Sequence, residues 1–93
     1  MPKVVLQGYI IVPENSLEQV EEALTHHIEL TRKESGNLIF KVTADENNRC
    51  RFNVYEEFTS RESFSSHQDR VGKSKWGAVA VNVERHYEII DLE

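Results

Sequence analysis

Cysteine is almost absent. Cys50 stands alone in 93 residues, so no internal disulfide can form, and a lone thiol fits a reducing compartment, with the cytoplasm as the expected location. Long apolar runs are missing as well. No stretch approaches the ~20 residues needed to cross a bilayer, and Met1-Pro2-Lys3 leads directly into a segment that carries Gln7 and stops at Pro13. Neither a membrane span nor a signal peptide is expected. With two prolines and four glycines there is no linker or low-complexity tract, which leaves a single domain over residues 1–93.

Positive charge is scarce too. Eleven Lys and Arg against sixteen Asp and Glu give a net charge of −5, which repels a phosphate backbone unless the cations cluster. The densest basic stretch, Arg70, Lys73 and Lys75, has no interleaved aromatics for stacking bases, so nucleic acid is not an expected partner. The sequence has no G-x-G-x-x-G, P-loop or G-x-S-x-G, which removes the usual signs of a nucleotide cofactor or a serine nucleophile. His26 and His27 are adjacent and therefore point ~100° apart on a helix. No H-x-x-x-H or C-x-x-C joins them to a third ligand, and no metal site is expected.

What is present is a set of clear periodicities. Lys3 to Val12 is rich in Val, Ile and Leu and ends at Pro13-Glu14-Asn15, which reads as a strand closed by a turn. Ser16 with Gln19, or Asn15 with Glu18, offers a capping box, and Leu17, Val20, Leu24, Ile28 and Thr31 follow at helical spacing. That helix is expected to run to about Ser35, with Gly36 as a left-handed cap. Leu38 to Thr43 and Cys50 to Phe58 alternate on either side of Asp45-Glu46-Asn47-Asn48, a hairpin. Thr59 or Ser60 can cap a second helix, with Phe64, His67 and Val71 on one face and Gly72 at its end. Residues 73–83 fit either a short helix or an extended arm. Arg85 to Asp91 alternates once more, with Tyr87 and Ile89 in one phase and His86, Glu88 and Ile90 in the other. The order is β-α-β-β-α-β, an α+β split-βαβ or ferredoxin-like plan with an antiparallel sheet.

Three segments carry a family likeness. Glu34-Ser35-Gly36-Asn37-Leu38-Ile39-Phe40, then Arg51-Phe52-Asn53-Val54-Tyr55-Glu56-Glu57-Phe58, then His67 on the following helix resemble the E-x-G-(N/C)-L…F-x-x-Y-E-x-(W/F)…H pattern of antibiotic-biosynthesis-monooxygenase domains. The resemblance spans nearly the whole chain in length and element order. It implies a dimeric α+β barrel in which two four-stranded sheets pack together, with a pocket between each sheet and its helices. It also implies a homodimer acting on a small-molecule substrate such as a quinol or anthrone, with molecular oxygen and no cofactor. Two sister groups differ in chemistry. Haem degraders of the superfamily carry an Asn on the first strand and a Trp ahead of the pocket His, whereas here Gln7 occupies the strand and Trp76 follows His67. Enzymes processing a phosphorylated signalling sugar resemble this chain around Glu34 to Glu56.

On this likeness His67 is the candidate catalytic residue, and Asn37, Tyr55, Glu56, Phe64 and Trp76 are the candidate substrate-binding residues. Each has a plainer reading. A histidine on an apolar stripe is more often a packed core residue, although His67 can exchange a proton near neutral pH and help deprotonate a phenolic or enolic hydroxyl. Glu56 shares its phase with Phe52, Val54 and Phe58, where burial would raise its pKa, unless Arg51 or Arg85 pairs with it. Asn37 suits a turn as well as a ligand. Trp76 and Tyr55 can wall a flat aromatic ligand, and Trp76 can equally plug a dimer seam. Cys50 lies between Arg49 and Arg51, but a lone strand cysteine is more often packed than reactive.

Three functions therefore stand side by side. An oxygenase needs only a base, a dry cavity and stabilisation of the substrate anion. An isomerase or tautomerase of a phosphorylated metabolite needs convergent cations, for which Arg70, Lys73 and Lys75 are the local supply. A non-enzymatic dimeric binding module would show Phe40, Phe58, Phe64 and Trp76 closing the interior.

Overall fold

Strand alternation decides which side of the sheet the helices cover. In Arg51–Phe58 the residues Phe52, Val54, Glu56 and Phe58 are buried while Arg51, Asn53, Tyr55 and Glu57 are half-open, and in Lys3–Ile11 the side chains of Val4, Leu6 and Ile10 are all buried on the matching face. The computed structural model describes residues 3–92; Met1 and Pro2, read from sequence as leading into the first strand, and Glu93 lie outside them. The elements are β1 (Lys3–Ile11), a 3₁₀ turn (Glu14–Ser16), α1 (Leu17–Arg32), β2 (Asn37–Ala44), β3 (Arg51–Phe58), α2 (Arg61–Gly72), α3 (Lys75–Val79) and β4 (Glu84–Leu92). The sheet is antiparallel throughout, in the order β2-β3-β1-β4. This is the ferredoxin-like α+β arrangement expected from the periodicities.

The core lies between the helices and one sheet face. Val20, Ala23 and Leu24 of α1 and Phe64 of α2 pack on Val4, Leu6, Ile10, Phe40, Phe52, Val54 and Phe58. Phe58 is 1% exposed and meets Phe64 edge-on, with ring centroids 5.4 Å apart. No helix is long and apolar enough among the described residues to cross a membrane.

Two expected caps are not used. Ser16 makes no side-chain capping bond; the chain enters α1 instead through the 3₁₀ turn after Pro13, with the Ser16 N–H donating to Pro13 O at 2.9 Å. At the other end α1 stops at Arg32, capped by Lys33 in a right-handed conformation, so Gly36 is not a left-handed cap. Its missing side chain serves packing: a Cβ there would lie 2.3 Å from Ser63 Oγ. Ser60 does cap α2, accepting from the Ser63 N–H. Residues 73–83, open in sequence, contain α3, whose N-cap Ser74 accepts from the Gly77 N–H.

Gly8 holds β1 and β4 in register. It has φ +149°, and a Cβ there would fall 1.9 Å from the His86 backbone oxygen. Any side chain must part the two strands. Gly72 contrasts with it, since a Cβ there meets nothing within 4 Å. Gly8→Ala is therefore expected to cost about 3 kcal/mol or more, whereas Gly72→Ala should stabilise by up to about 1 kcal/mol by restricting the unfolded chain. Urea unfolding of both variants reads the contrast, and equal midpoints would show that β1 and β4 have slack.

Candidate active site

The site begins at the turn between α1 and β2. The Glu34 N–H donates to Thr31 O at 3.0 Å and the Asn37 N–H to Glu34 O at 3.1 Å, which fixes the Glu34 backbone. Thr59 N–H donates to Gly36 O at 2.9 Å, and the close fit of Gly36 against Ser63 presses this turn onto the start of α2. The Glu34 side chain thereby reaches two residues of α2 that lie three apart, and so on one face. Its Oε1 sits 2.8 Å from His67 Nδ1 and its Oε2 accepts from Arg70 Nε at 2.8 Å. Arg70 Nη2 also donates to Thr31 Oγ1 at 2.9 Å.

This contact sets the tautomer of His67. With a carboxylate at Nδ1, that nitrogen carries the proton and donates, which leaves the Nε2 lone pair facing inward. Burial lowers the His67 pKa, opposed by Glu34, so the ring is neutral at pH 7. Nε2 stands 3.6 Å from Glu56 Oε1, near but beyond hydrogen-bond range. Glu56 is 5% exposed, and its pKa is pushed up to about 7 by desolvation first and by the Glu34 charge second. Neither Arg51 nor Arg85 pairs with it: Arg51 lies over the Tyr9 ring and faces Asp45, and Arg85 bonds the Val83 carbonyl.

Glu56 and His27 share a small void of about 20 Å³ whose other lining is Ile10, Leu24, Phe40, Val42, Val54, Trp76 and Tyr87. Among the described residues, Glu56 Oε1 and His27 Nδ1 are the two buried side-chain atoms without a hydrogen-bond partner. Each unmade bond of this kind costs ~1–3 kcal/mol. His27 lies flat against Trp76, with centroids 5.2 Å apart and planes 10° apart, and meets Phe40 edge-on at 5.4 Å. Its pKa is lowered to about 3, mainly by burial and then by His67. Tyr87 closes the void toward solvent, its hydroxyl end shielded enough to be pushed up to about 12 by desolvation and by Glu56.

The fold separates the sequence candidates. Glu56 and Trp76 line the void. His67 and Phe64 are buried beside it but do not line it, and Phe58 lies between them, 4.9 Å from the His67 ring. The His67 ring thus stands behind Glu56. Asn37 is spent on backbone: its Nδ2 donates to Ile39 O at 3.1 Å and to Glu57 O at 3.5 Å, across an irregularity in the β2–β3 register. Tyr55 points to the other face of the sheet, where its hydroxyl donates to Glu57 Oε2 at 2.7 Å, because residues i and i+1 of a strand face opposite ways. Gln7 shares that face and donates to Glu88. Four residues of the site were not among the candidates: His27, Glu34, Arg70 and Tyr87. The i, i+3 step from His67 to Arg70 and the apolar phase of His27 were visible signals for two of them. Among the described residues, no group of three or more His, Cys, Asp or Glu is placed to hold a metal ion.

Comparison with known proteins agrees with the fold. Residues 3–76 match the antibiotic biosynthesis monooxygenase family model, and the chain belongs to that family. No curated protein matches. Among solved structures, an antibiotic biosynthesis monooxygenase assigned in Bacteroides thetaiotaomicron superposes with a TM-score of 0.80 at 22% identity, covering 99% of this chain and 88% of that one. One assigned in Nitrosomonas europaea gives 0.78 at 20% identity, covering 97% and 86%. SnoaB of Streptomyces nogalater, a cofactor-independent oxygenase, gives 0.81 at 7% identity, covering 100% and 95%. At these identities the likeness is one of fold.

Buried Glu56 makes stability depend on pH with a definite sign. Its folded pKa of about 7 exceeds its ordinary 4.5, so its contribution is fully present below the unfolded value and is lost as pH rises through about 7. His27 and His67 act oppositely, their lowered values removing stability as pH falls below 6.5. The groups facing Glu56 are His67, His27, Tyr87 and, one residue further, Glu34. Glu56→Gln stays neutral, so its stability relative to wild type should increase by on the order of 3 kcal/mol between pH 5 and pH 8. A difference that stays flat in urea titrations across that range would mean that Glu56 is hydrated like a surface carboxylate.

Proposed function

We propose that the protein is a cofactor-independent monooxygenase that deprotonates a quinol- or anthrone-like small aromatic substrate and lets the resulting anion react with O₂. The observation that supports this most is the unpartnered Glu56 carboxyl, facing an apolar void and backed by the His67–Glu34–Arg70 chain. A carboxyl that titrates near 7 is matched to general-base work at neutral pH. Glu56 takes the substrate proton, and His67 Nε2 stands next in line with Glu34 ready to hold the imidazolium. For an anthrone the reaction balances without an outside reductant: the ring CH₂ becomes a carbonyl with one atom of O₂, and the other leaves as water.

A phosphorylated metabolite would need free cations at the site. Arg70 Nε and Nη2 are already bonded to Glu34 and Thr31, while Lys73 and Lys75 are exposed. The filled interior of a binding module is only partly realised, since the aromatic residues leave the void beside Glu56.

The substrate is expected to engage a homodimer. The sheet face opposite the helices carries Val5, Tyr9, Ile11, Ile39, Tyr55 and Ile90 and forms a shallow concavity of about 810 Å³ beside Tyr9, Tyr55 and His86. A second copy seated there would cover the apolar side chains that this face carries. Sedimentation at micromolar concentration should give the dimer mass, and a monomer would remove this part of the proposal.

Oxygen-electrode assays with 1,8-dihydroxyanthrone and a reduced naphthoquinone test the chemistry. Air should support turnover and nitrogen should not. Glu56→Gln is expected to lower turnover roughly 10²–10⁴-fold. His67→Ala should slow it about 10²-fold, with partial recovery on adding imidazole, a rescue that a purely structural role would not allow. Absence of oxygen uptake by the wild type on either substrate would move the binding-module reading to the front.

A further inference from the structure

The void beside Glu56 presents a second unsatisfied group that general-base chemistry at Glu56 does not use. His27 Nδ1 has no partner, the residue is 5% exposed, and the ring cannot turn freely because Trp76 stacks on one face and Phe40 meets its edge. A polar atom held this way, against a void of about 20 Å³, has room for one oxygen. Tyr87, which lines the void, is the partly exposed residue past which a ligand can reach it. It lies on the helix-facing side of β4, which no helix covers, and is 37% exposed with Ile89 beyond it at 47%. An aromatic ring resting on Tyr87 and Ile89 can place its oxygen between Glu56 Oε1 and His27 Nδ1.

We propose that His27 is the oxyanion-holding residue of this site: as Glu56 takes the proton of a phenol or enol, His27 Nδ1–H donates to the oxygen left behind. The inference rests on Glu56 acting as the base. The O–H bond of the ligand breaks, a new O–H bond forms on Glu56, and no electron moves in this step. A neutral imidazole suits the donor role, because its one N–H is too weakly acidic to be given up to Glu56 or to the anion. With its pKa lowered to about 3 by burial and by His67, His27 is neutral around pH 7. The charged and titratable groups facing the spot are Glu56 on β3, His67 and Arg70 on α2, Arg85 and Tyr87 on β4, and Glu34 in the turn after α1. Of these only Glu56 and Tyr87 line the void with His27; Tyr87 also keeps its proton but is 37% exposed, which leaves His27, with its one imidazole proton placed on Nδ1, as the buried donor.

The test uses 4-nitrophenol, whose phenolate is seen by absorbance and which is not an oxygenase substrate, so recognition is read apart from O₂ chemistry. Titrated on the wild-type protein, its bound form should ionise at a pH lower by about one pH unit or more than on His27→Phe, which keeps the ring stacked on Trp76 but lacks the donor; a hydrogen bond to a charged oxygen has that size. His27→Gln, with an amide N–H, should fall between. Identical ionisation on wild type and His27→Phe, or no binding to the wild type, overturns the proposal. Where His27→Phe does not fold, 4-nitroanisole serves: at pH 8 the wild type should bind it at least tenfold more weakly than 4-nitrophenol, and equal binding overturns the proposal. Oxygen uptake that persists at the wild-type rate in His27→Phe would sink this inference and leave the oxygenase reading standing. The expected titration with no oxygen uptake on any anthrone would do the reverse.

Discussion

The Glu34 carboxylate is the point through which the rest of the site is arranged. It holds His67 Nδ1 with one oxygen and Arg70 Nε with the other, both at 2.8 Å. It thereby ties the turn after α1 to the middle of α2, and its charge is balanced by Arg70 on the side away from the core. One residue deeper, that charge is one reason Glu56 resists ionisation. Removing a single partner from such a buried network leaves the others uncompensated. The same carboxylate fixes which nitrogen of His67 bears the proton, and hence that a lone pair and not a donor faces Glu56.

Most of the architecture was written in periodicity. The alternation of Phe52, Val54, Glu56 and Phe58 specifies one covered face, and that pattern alone places a carboxyl among apolar neighbours. Legibility failed where backbone geometry outweighs pattern. The ends of α1 were misjudged because Pro13 starts a 3₁₀ turn and because Gly36 answers a steric demand from Ser63, a residue 27 positions away in the chain. Tyr55 joined Glu56 among the candidates through the family pattern, yet one step along a strand crosses the sheet. His27 falls inside the apolar arc of its helix, but nothing local in the sequence shows that its Nδ1 lacks a partner. Orphaned atoms are properties of the assembled fold.

The helices also decide where the site can open. Two long helices cover β2, β3 and β1 but leave the helix-facing side of β4 bare, so Tyr87 and Ile89 stay exposed while residues in register with them, Gly8 and Leu6, sit beneath the cover. The void beside Glu56, which Tyr87 helps to line, borders that bare edge. Gly8 contributes to this placement: with no side chain, it lets β4 approach closely and sets Tyr87 against the edge of the core. A larger residue there would move the mouth of the site and not only the strand. The constraint that stabilises the sheet is in this way also the one that positions Tyr87, and chemistry at Glu56 depends on a packing choice made on the neighbouring strand.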